Sequence, residues 1–129
     1  MAKFKFDPKA TAIICRAEIV GRKRELSLKM IVDTGATYTI IPVEAAVAIG
    51  YDPSRSPRKI EITTGSSIEY VSIVSVPKFR AFGIEIRNMK AVCHNLPPES
   101  PVDGLLGLNF LRQAKIAIDF SQSAIITPG

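Results

Sequence analysis

Tryptophan is absent from this 129-residue chain, histidine occurs once, as His94, and cysteine occurs twice, as Cys15 and Cys93. Each scarcity removes a class of chemistry. One histidine cannot build a histidine-based metal site, and Ser66 and Ser67 have no nearby His and Asp pattern to make either a nucleophile. Two isolated cysteines have neither metal-site spacing nor disulfide density. Each sits in an apolar stretch, where a buried free thiol belongs and a reducing compartment suits it. No apolar run reaches the roughly 18 residues of a membrane span, and Met1 to Lys9 is too polar for a secretory signal core. A cytoplasmic chain with no membrane segment is therefore expected. No glycine-rich phosphate loop, internal repeat or low-complexity tract is present.

What is there is an ordinary globular balance, with 47% apolar and 22% charged side chains. A chain of this size buries about two thirds of the surface it exposes when unfolded, enough for a core of its own. One domain spanning residues 1–129 is expected, with no room for a two-lobed enzyme, so chemistry that needs two symmetric halves must take one of them from a second copy. The 17 basic and 12 acidic residues give a net charge of +5. The basic residues are scattered through turns and alternating segments, which reads as a solvated surface. A nucleic-acid-binding β-barrel would want aromatics on one exposed face, and the nine present do not cluster that way, so no nucleic-acid partner is expected.

Alternation of apolar and polar residues dominates the chain. In Glu25 to Val32 the residues Leu26, Leu28, Met30 and Val32 share one face, and Ala12 to Val20 alternates similarly. The Gly21-Arg22-Lys23-Arg24 turn makes the two a hairpin. Further strands are expected at Arg58–Thr64, Ser67–Val76, Phe79–Ala81, Ile84–Ile86, Met89–His94, Lys115–Phe120 and Ala124–Thr127, each bounded by Gly, Pro, Ser or Asn. Two short helices break the period. One runs from Pro42 to Gly50, with Pro at a first turn and Gly at a C-terminus; the other lies within Gly107 to Ala114. The Asp52–Pro57 and Asn95–Pro101 segments read as loops. The class is all-β, a sandwich or barrel.

The most informative point is where the apolar strand ending at Val32 runs into Asp33-Thr34-Gly35-Ala36. A carboxylate delivered by such a strand to a tight turn is expected in a buried place, where it can serve as acid or base. The plainer reading is a loop acid hydrogen-bonded to its own turn. Far downstream, Asp103-Gly104-Leu105-Leu106-Gly107-Leu108-Asn109-Phe110-Leu111 joins an apolar strand to a helix.

Together these two segments resemble the retropepsin-like aspartic proteases, the family of the retroviral protease, over about Ile13 to Phe120. The resemblance implies a pepsin-like, single-lobed closed β-barrel with one or two short helices, active as a homodimer. It implies that Asp33 is the catalytic carboxylate, that Thr34 hydrogen-bonds across to the partner subunit's loop, and that Gly35 donates its N–H to the carboxylate while Ala36 leaves room for substrate. Leu105 and Leu106 would close the floor of the site, with Gly107 permitting close packing against the Asp33 loop. Only one Asp-Thr-Gly is present, whereas the chemistry needs two carboxylates sharing a proton, so the second must be the partner's Asp33. Asp103 falls where the family carries a structural residue, and Asp119 reads as an exposed strand residue. The hairpin Lys59 to Ile73, with its tip at Thr64-Gly65-Ser66-Ser67, stands where the family has its flap. Either Phe4–Phe6 or Ala124–Thr127 would supply edge strands to an intersubunit sheet. The implied function is an aspartic endopeptidase acting on protein or peptide substrates without metal or cofactor. The rival reading is a non-catalytic, dimeric peptide-binding or scaffold module of the same fold.

Overall fold

The computed structural model describes residues 1–52, 55, 58–64 and 67–129; Gly65 and Ser66, and positions 53, 54, 56 and 57 of the expected loop, lie outside the described residues. Ten strands and two short helices are seen among them: β1 (Ala2–Lys5), β2 (Ile14–Val20), β3 (Glu25–Val32), β4 (Thr39–Ile41), α1 (Val43–Ala48), β5 (Lys59–Thr64), β6 (Ser67–Ala81), β7 (Ile84–Cys93), β8 (Gly104–Leu106), α2 (Leu108–Gln113), β9 (Ala117–Asp119) and β10 (Ala124–Thr127).

Six strands close a barrel in the order β2-β3-β8-β4-β7-β6, with β6 returning to pair with β2, and β5 is added outside on β6. The hairpin expected from Gly21 to Arg24 joins β2 to β3, with the Gly21 N–H donating to the Arg24 carbonyl at 2.8 Å. β8 runs parallel to β3 but antiparallel to β4, so β8 is inserted between two segments that are consecutive in sequence. Alternation turns Ile19, Met30, Val76, Phe79, Met89 and Leu106 inward, all fully buried, and Phe110 of α2 meets Phe79 at a ring distance of 5.3 Å. Among the described residues no helix is long and apolar enough to cross a membrane.

Two expected strand breaks do not occur. Ser67–Val76 and Phe79–Ala81 form one 15-residue strand, and Ile84–Ile86 and Met89–His94 form one ten-residue strand. The reason is local. Pro77, which has no N–H to give, falls opposite Asn88, which takes a left-handed φ of 52°, so the unpaired step in each strand coincides and the ladder resumes on both sides. The long β6 thus serves the barrel with Lys78–Ala81 and the outer hairpin with Ser67–Ser72. At the other end of the chain the Lys115–Phe120 expectation shrinks to Ala117–Asp119, because Lys115 adopts φ 55° just after α2.

The chain termini form a separate sheet, β1-β10-β9. Ala124–Thr127 is its central strand, bonded on both edges within one chain. Within one chain Ala124–Thr127 is therefore central, and Ala2–Lys5, which contains Phe4, lies at the sheet's edge.

Candidate active site

Asp33 is the residue that follows β3, and backbone bonds hold it on three sides. The Val32 N–H donates to Ile13 at 2.8 Å, the Asp33 N–H to the Leu106 carbonyl at 2.9 Å, and the Ala36 N–H to the Asp33 carbonyl at 3.2 Å. The Gly35 N–H donates to Asp33 Oδ1 at 2.8 Å. The plain turn reading and the expected Gly35 contact are therefore the same bond: the turn that caps the carboxylate also orients it. The carboxyl is half-buried rather than buried, since one flank of the turn opens onto a hollow within the single chain.

Beneath the turn two segments cross. The Leu108 N–H reaches the Ala36 carbonyl at 2.8 Å and the Asn109 N–H reaches Thr37 at 3.2 Å. Asn109 Oδ1 accepts from both the N–H and the hydroxyl of fully buried Thr39, at 2.8 and 2.9 Å, and its amide donates to the Lys90 carbonyl at 2.7 Å. The Gly107 N–H donates to Thr39 Oγ1 at 3.1 Å. Such an approach needs glycine. A Cβ on Gly107 would stand 2.5 Å from the Tyr38 carbonyl carbon, and one on Gly104 2.1 Å from the Ile40 oxygen. The resemblance placed Gly107 against the Asp33 loop, and its contact is with Tyr38 and Thr39 at the far end of that loop.

A cleft of about 370 Å³ lies between the turn and the β5–β6 hairpin, lined by Gly35, Ala36, Tyr38, Ile40, Ile60, Ile62 and Val92 among others. Neither expected floor residue lines it. Leu106 is fully buried in the core below the turn, and Leu105 is half-buried on β8 between Ile31 and Ile40. The wall residues Ile40, Ile60, Ile62 and Val92 were missed in the sequence, although the alternation of Ile60 and Ile62 in Lys59–Thr64 marks one face of that strand. Thr34 is exposed and turned toward a second, smaller hollow with Leu108 and Leu111. Thr64 pairs with Ser67 across the hairpin connection.

The other acids and thiols near this region have their own tasks. Asp103 is bonded reciprocally to the Lys29 backbone, accepting at Oδ2 over 2.8 Å and donating its N–H over 2.7 Å. Asp119, on a strand as expected, binds its own turn. Hydrogen bonds from the Ser121 hydroxyl and then from Gln122 hold its carboxyl below the usual range. Burial pushes the Cys15 and Cys93 thiols up to about 11, which keeps both protonated and unreactive near neutral pH. His94 Nδ1 lies 3.7 Å from Glu69 on β6. Among the described residues no three His, Cys, Asp or Glu side chains gather as metal ligands would.

Comparison with known proteins agrees with this geometry. No curated protein matches the sequence significantly. Among solved structures, the chain superimposes on the retropepsin-like aspartic protease of Rickettsia conorii with a TM-score of 0.72 at 19% identity, covering 98% of this chain and 88% of that one. The retroviral protease-like domain of Ddi1 from Leishmania major gives 0.60 at 16% identity, covering 94% and 91%. Residues 19–113 match the sequence model of the family described as "gag-polyprotein putative aspartyl protease". With its Asp33 turn, its crossed strands and most of its length within that match, the chain belongs to the retropepsin-like gag-polyprotein aspartyl protease family.

Proposed function

We propose that the protein is an aspartic endopeptidase whose working form is a homodimer, with Asp33 of each copy meeting on a two-fold axis. The observation that carries this reading is the setting of Asp33. One carboxylate, oriented by the Gly35 N–H, sits on a turn anchored to Leu106 and beside an apolar cleft. Two carboxylates brought side by side share one proton. The ionised one takes a proton from water as the water attacks the scissile carbonyl, and the protonated one donates to the carbonyl oxygen. Collapse of the tetrahedral adduct returns a proton to the leaving amine. Neither metal nor cofactor enters.

Thr34, exposed beside Asp33, is the residue placed to bond across to the partner's loop, and Ala36 leaves space next to the carboxylate. Leu105, Leu106 and Gly107 support the turn from below. The β5–β6 hairpin acts as a flap, with Thr64, Gly65 and Ser66 at its tip, and grips an extended peptide as an added strand would be gripped. Ile40, Ile60, Ile62 and Val92 favour an apolar side chain next to the cleaved bond. One half-buried and one buried thiol, both protonated, fit a cytoplasmic setting.

The deciding experiment is cleavage profiling of a peptide library from about pH 4 to pH 7 with parent and Asp33→Asn proteins. Loss of a general acid-base group costs on the order of 100- to 10,000-fold in rate, so cleavage by Asp33→Asn is expected to fall below detection. Equal cleavage by the two proteins would remove Asp33 from the mechanism. Peptide binding by both with cleavage by neither would make the protein a peptide-binding module of the same fold.

A further inference from the structure

Basic residues that lie far apart in the sequence are brought together by the fold. One edge of β6 pairs with β2 over residues 78–81 and with β5 over residues 67–72. Between them, at residues 73–77, no strand borders that edge among the described residues, and a hollow of about 400 Å³ opens there. Gly50, Tyr51, Asp52, Arg55, Arg58 and Ser75 line it, with Ile73 and Val74 at its back, and the Tyr51 hydroxyl donates to the Ser75 carbonyl. The β2–β3 turn adjoins the hollow. Gly21 follows the Val20 and Lys78 pair and lies so close to Ile49, the residue before Gly50, that a Cβ would stand 2.5 Å from the Ile49 oxygen. That turn presents Arg22, Lys23 and Arg24, all exposed, and Lys78 in turn pairs in register with Arg87 on β7.

The carboxylates bordering this surface are already engaged. Asp52 lies 3.4 Å from Arg55, and Arg80 holds Glu85 at 2.8 Å and Glu25 at 3.4 Å. Arg22, Lys23 and Arg24 have no carboxylate in pairing distance among the described residues. The positive field is therefore concentrated at one end of the barrel, around a hollow with an apolar back. An acidic polypeptide segment matches both features, since its carboxylates meet the cations and its side-chain stems enter the hollow. A flat lipid surface would leave the hollow empty. Nucleic-acid bases would find no exposed aromatic to stack on there, because Tyr51 is half-buried with its hydroxyl bonded to β6. The position also matters. Arg58 and Lys59 lead directly into Ile60 and Ile62 of the cleft wall, and Ile73 at the back of the hollow packs in the same small cluster as those two isoleucines.

We propose that this basic surface, centred on Arg22, Lys23, Arg24 and the hollow beside Arg58, binds an acidic segment of the protein's substrates outside the cleft. The inference rests on the peptidase reading above for its consequence and on charge and shape for the binding itself. A substrate tethered there enters the cleft as an intramolecular step, and the positive field speeds the first encounter. The cations stand apart from the Asp33 turn, so they act on KM and leave kcat alone.

Fluorescence anisotropy with a labelled Glu-rich peptide that carries no apolar residue tests the binding apart from the cleft. Wild type is expected to bind it, to ignore the same peptide with Gln for Glu, and to release it as salt rises from about 0.1 M to about 1 M. Arg22→Gln/Lys23→Gln/Arg24→Gln is expected to bind about tenfold more weakly, the scale of three exposed charge contacts, with unchanged far-UV circular dichroism because all three side chains are exposed. Lys3→Gln/Lys5→Gln/Lys9→Gln removes the same charge from the N-terminal segment and is expected to bind as wild type does. Equal weakening in both triple variants would mean that net charge alone attracts the peptide and would overturn the proposal. So would binding unmoved in the Arg22, Lys23 and Arg24 variant, or tighter binding of duplex DNA or phosphatidylserine vesicles than of the acidic peptide. Cleavage is then compared for one core peptide with and without a Glu-rich extension. The extension is expected to lower KM several-fold in wild type and not in the Arg22, Lys23 and Arg24 variant, while both proteins cleave the bare core equally. An extension that binds but leaves KM unchanged overturns the delivery of substrate. Charge-dependent binding of the acidic peptide with no cleavage of either substrate leaves the acid-binding surface standing and removes the peptidase.

Discussion

Across the cleft two walls face each other that are held in opposite ways. On the Asp33 side the chain is tied down by bonds between residues distant in sequence: Asp33 to Leu106, Ala36 to Leu108, Thr39 to Asn109 and Gly107. Thr39 there is fully buried and Gly107 is buried. On the hairpin side, β5 pairs only with β6 among the described residues, and two large apolar side chains stand in solvent, Ile68 at 60% and Tyr70 at 72% exposure. A half-buried patch of Ile60 and Ile62 against Val71, Ile73 and Val92 attaches the hairpin to the barrel. The contrast separates two demands on such a site. A carboxylate must be held to within a fraction of an ångström of its working position, whereas a cover must give way for a peptide to enter. Buried polar bonds meet the first demand and shallow apolar contact permits the second.

The comparison breaks most severely if the crossing below Asp33 cannot close. Gly107→Ala places a Cβ 2.5 to 2.8 Å from backbone atoms of Tyr38 and Thr39, which cannot swing aside as a side chain can. Overpacking of this kind costs about 3 kcal/mol or more where the neighbours are main chain. The thermal midpoint is expected to fall by 10 °C or more, since about 1 kcal/mol shifts it by roughly 4 °C in a domain of this size. Peptide cleavage is expected to fall about 100-fold in the fraction that remains folded, because the turn is displaced. Normal activity and a normal midpoint would show that the close approach at Gly107 is not needed.

Asn109→Ala sharpens the same point with a smaller loss. It removes three bonds and strands the buried N–H of Thr39, a defect worth about 1–3 kcal/mol. Chemical denaturation is expected to show roughly 2 kcal/mol less stability with an unchanged slope. Asn109→Asp keeps an acceptor for Thr39 and loses only the donor to Lys90, so it should recover part of that loss. If Asn109→Ala and Asn109→Asp are equally damaged, the bond to Lys90 rather than the Thr39 pair holds the crossing.

Much of this could be read in the chain before any coordinates, and the exceptions share a cause. The β2–β3 hairpin, the helix after Pro42 and the strand leading into Asp33 are local patterns, and local patterns survive folding. Pro77 and Asn88 each read as a strand end within a single strand; only their falling opposite each other lets both strands continue. The central place of Ala124–Thr127 within one chain comes from β1 and β9, one of them from the opposite end of the chain. The site divides likewise. Asp33, Gly35 and Gly107 stand out by residue type and spacing, while Thr39 shows its importance only once β8 and α2 bring Asn109 to it. Ile40 and Val92 become cleft walls through the parallel β4–β7 pairing, which no local window contains.

On the hairpin side the effect on stability should be smallest and the effect on substrate largest in proportion, and Ile62→Ala makes that separation measurable. Ile62 is half-buried, packs on the small Val71–Ile73–Val92 cluster and lines the cleft. Deleting a fully buried isoleucine side chain costs 2–5 kcal/mol, so about 1 kcal/mol is expected for one that keeps half its surface in water. Cleavage should show a KM raised several-fold with kcat nearly unchanged, because the lost contact grips substrate and does not touch the reacting atoms. A kcat loss as deep as that of Gly107→Ala would mean that the hairpin positions the chemistry as tightly as the crossed loops do, and the division between a fixed wall and a yielding one would fail. A change in stability without any change in KM would place Ile62 in the core alone and move the substrate contact to Ile40 and Val92 on the barrel itself.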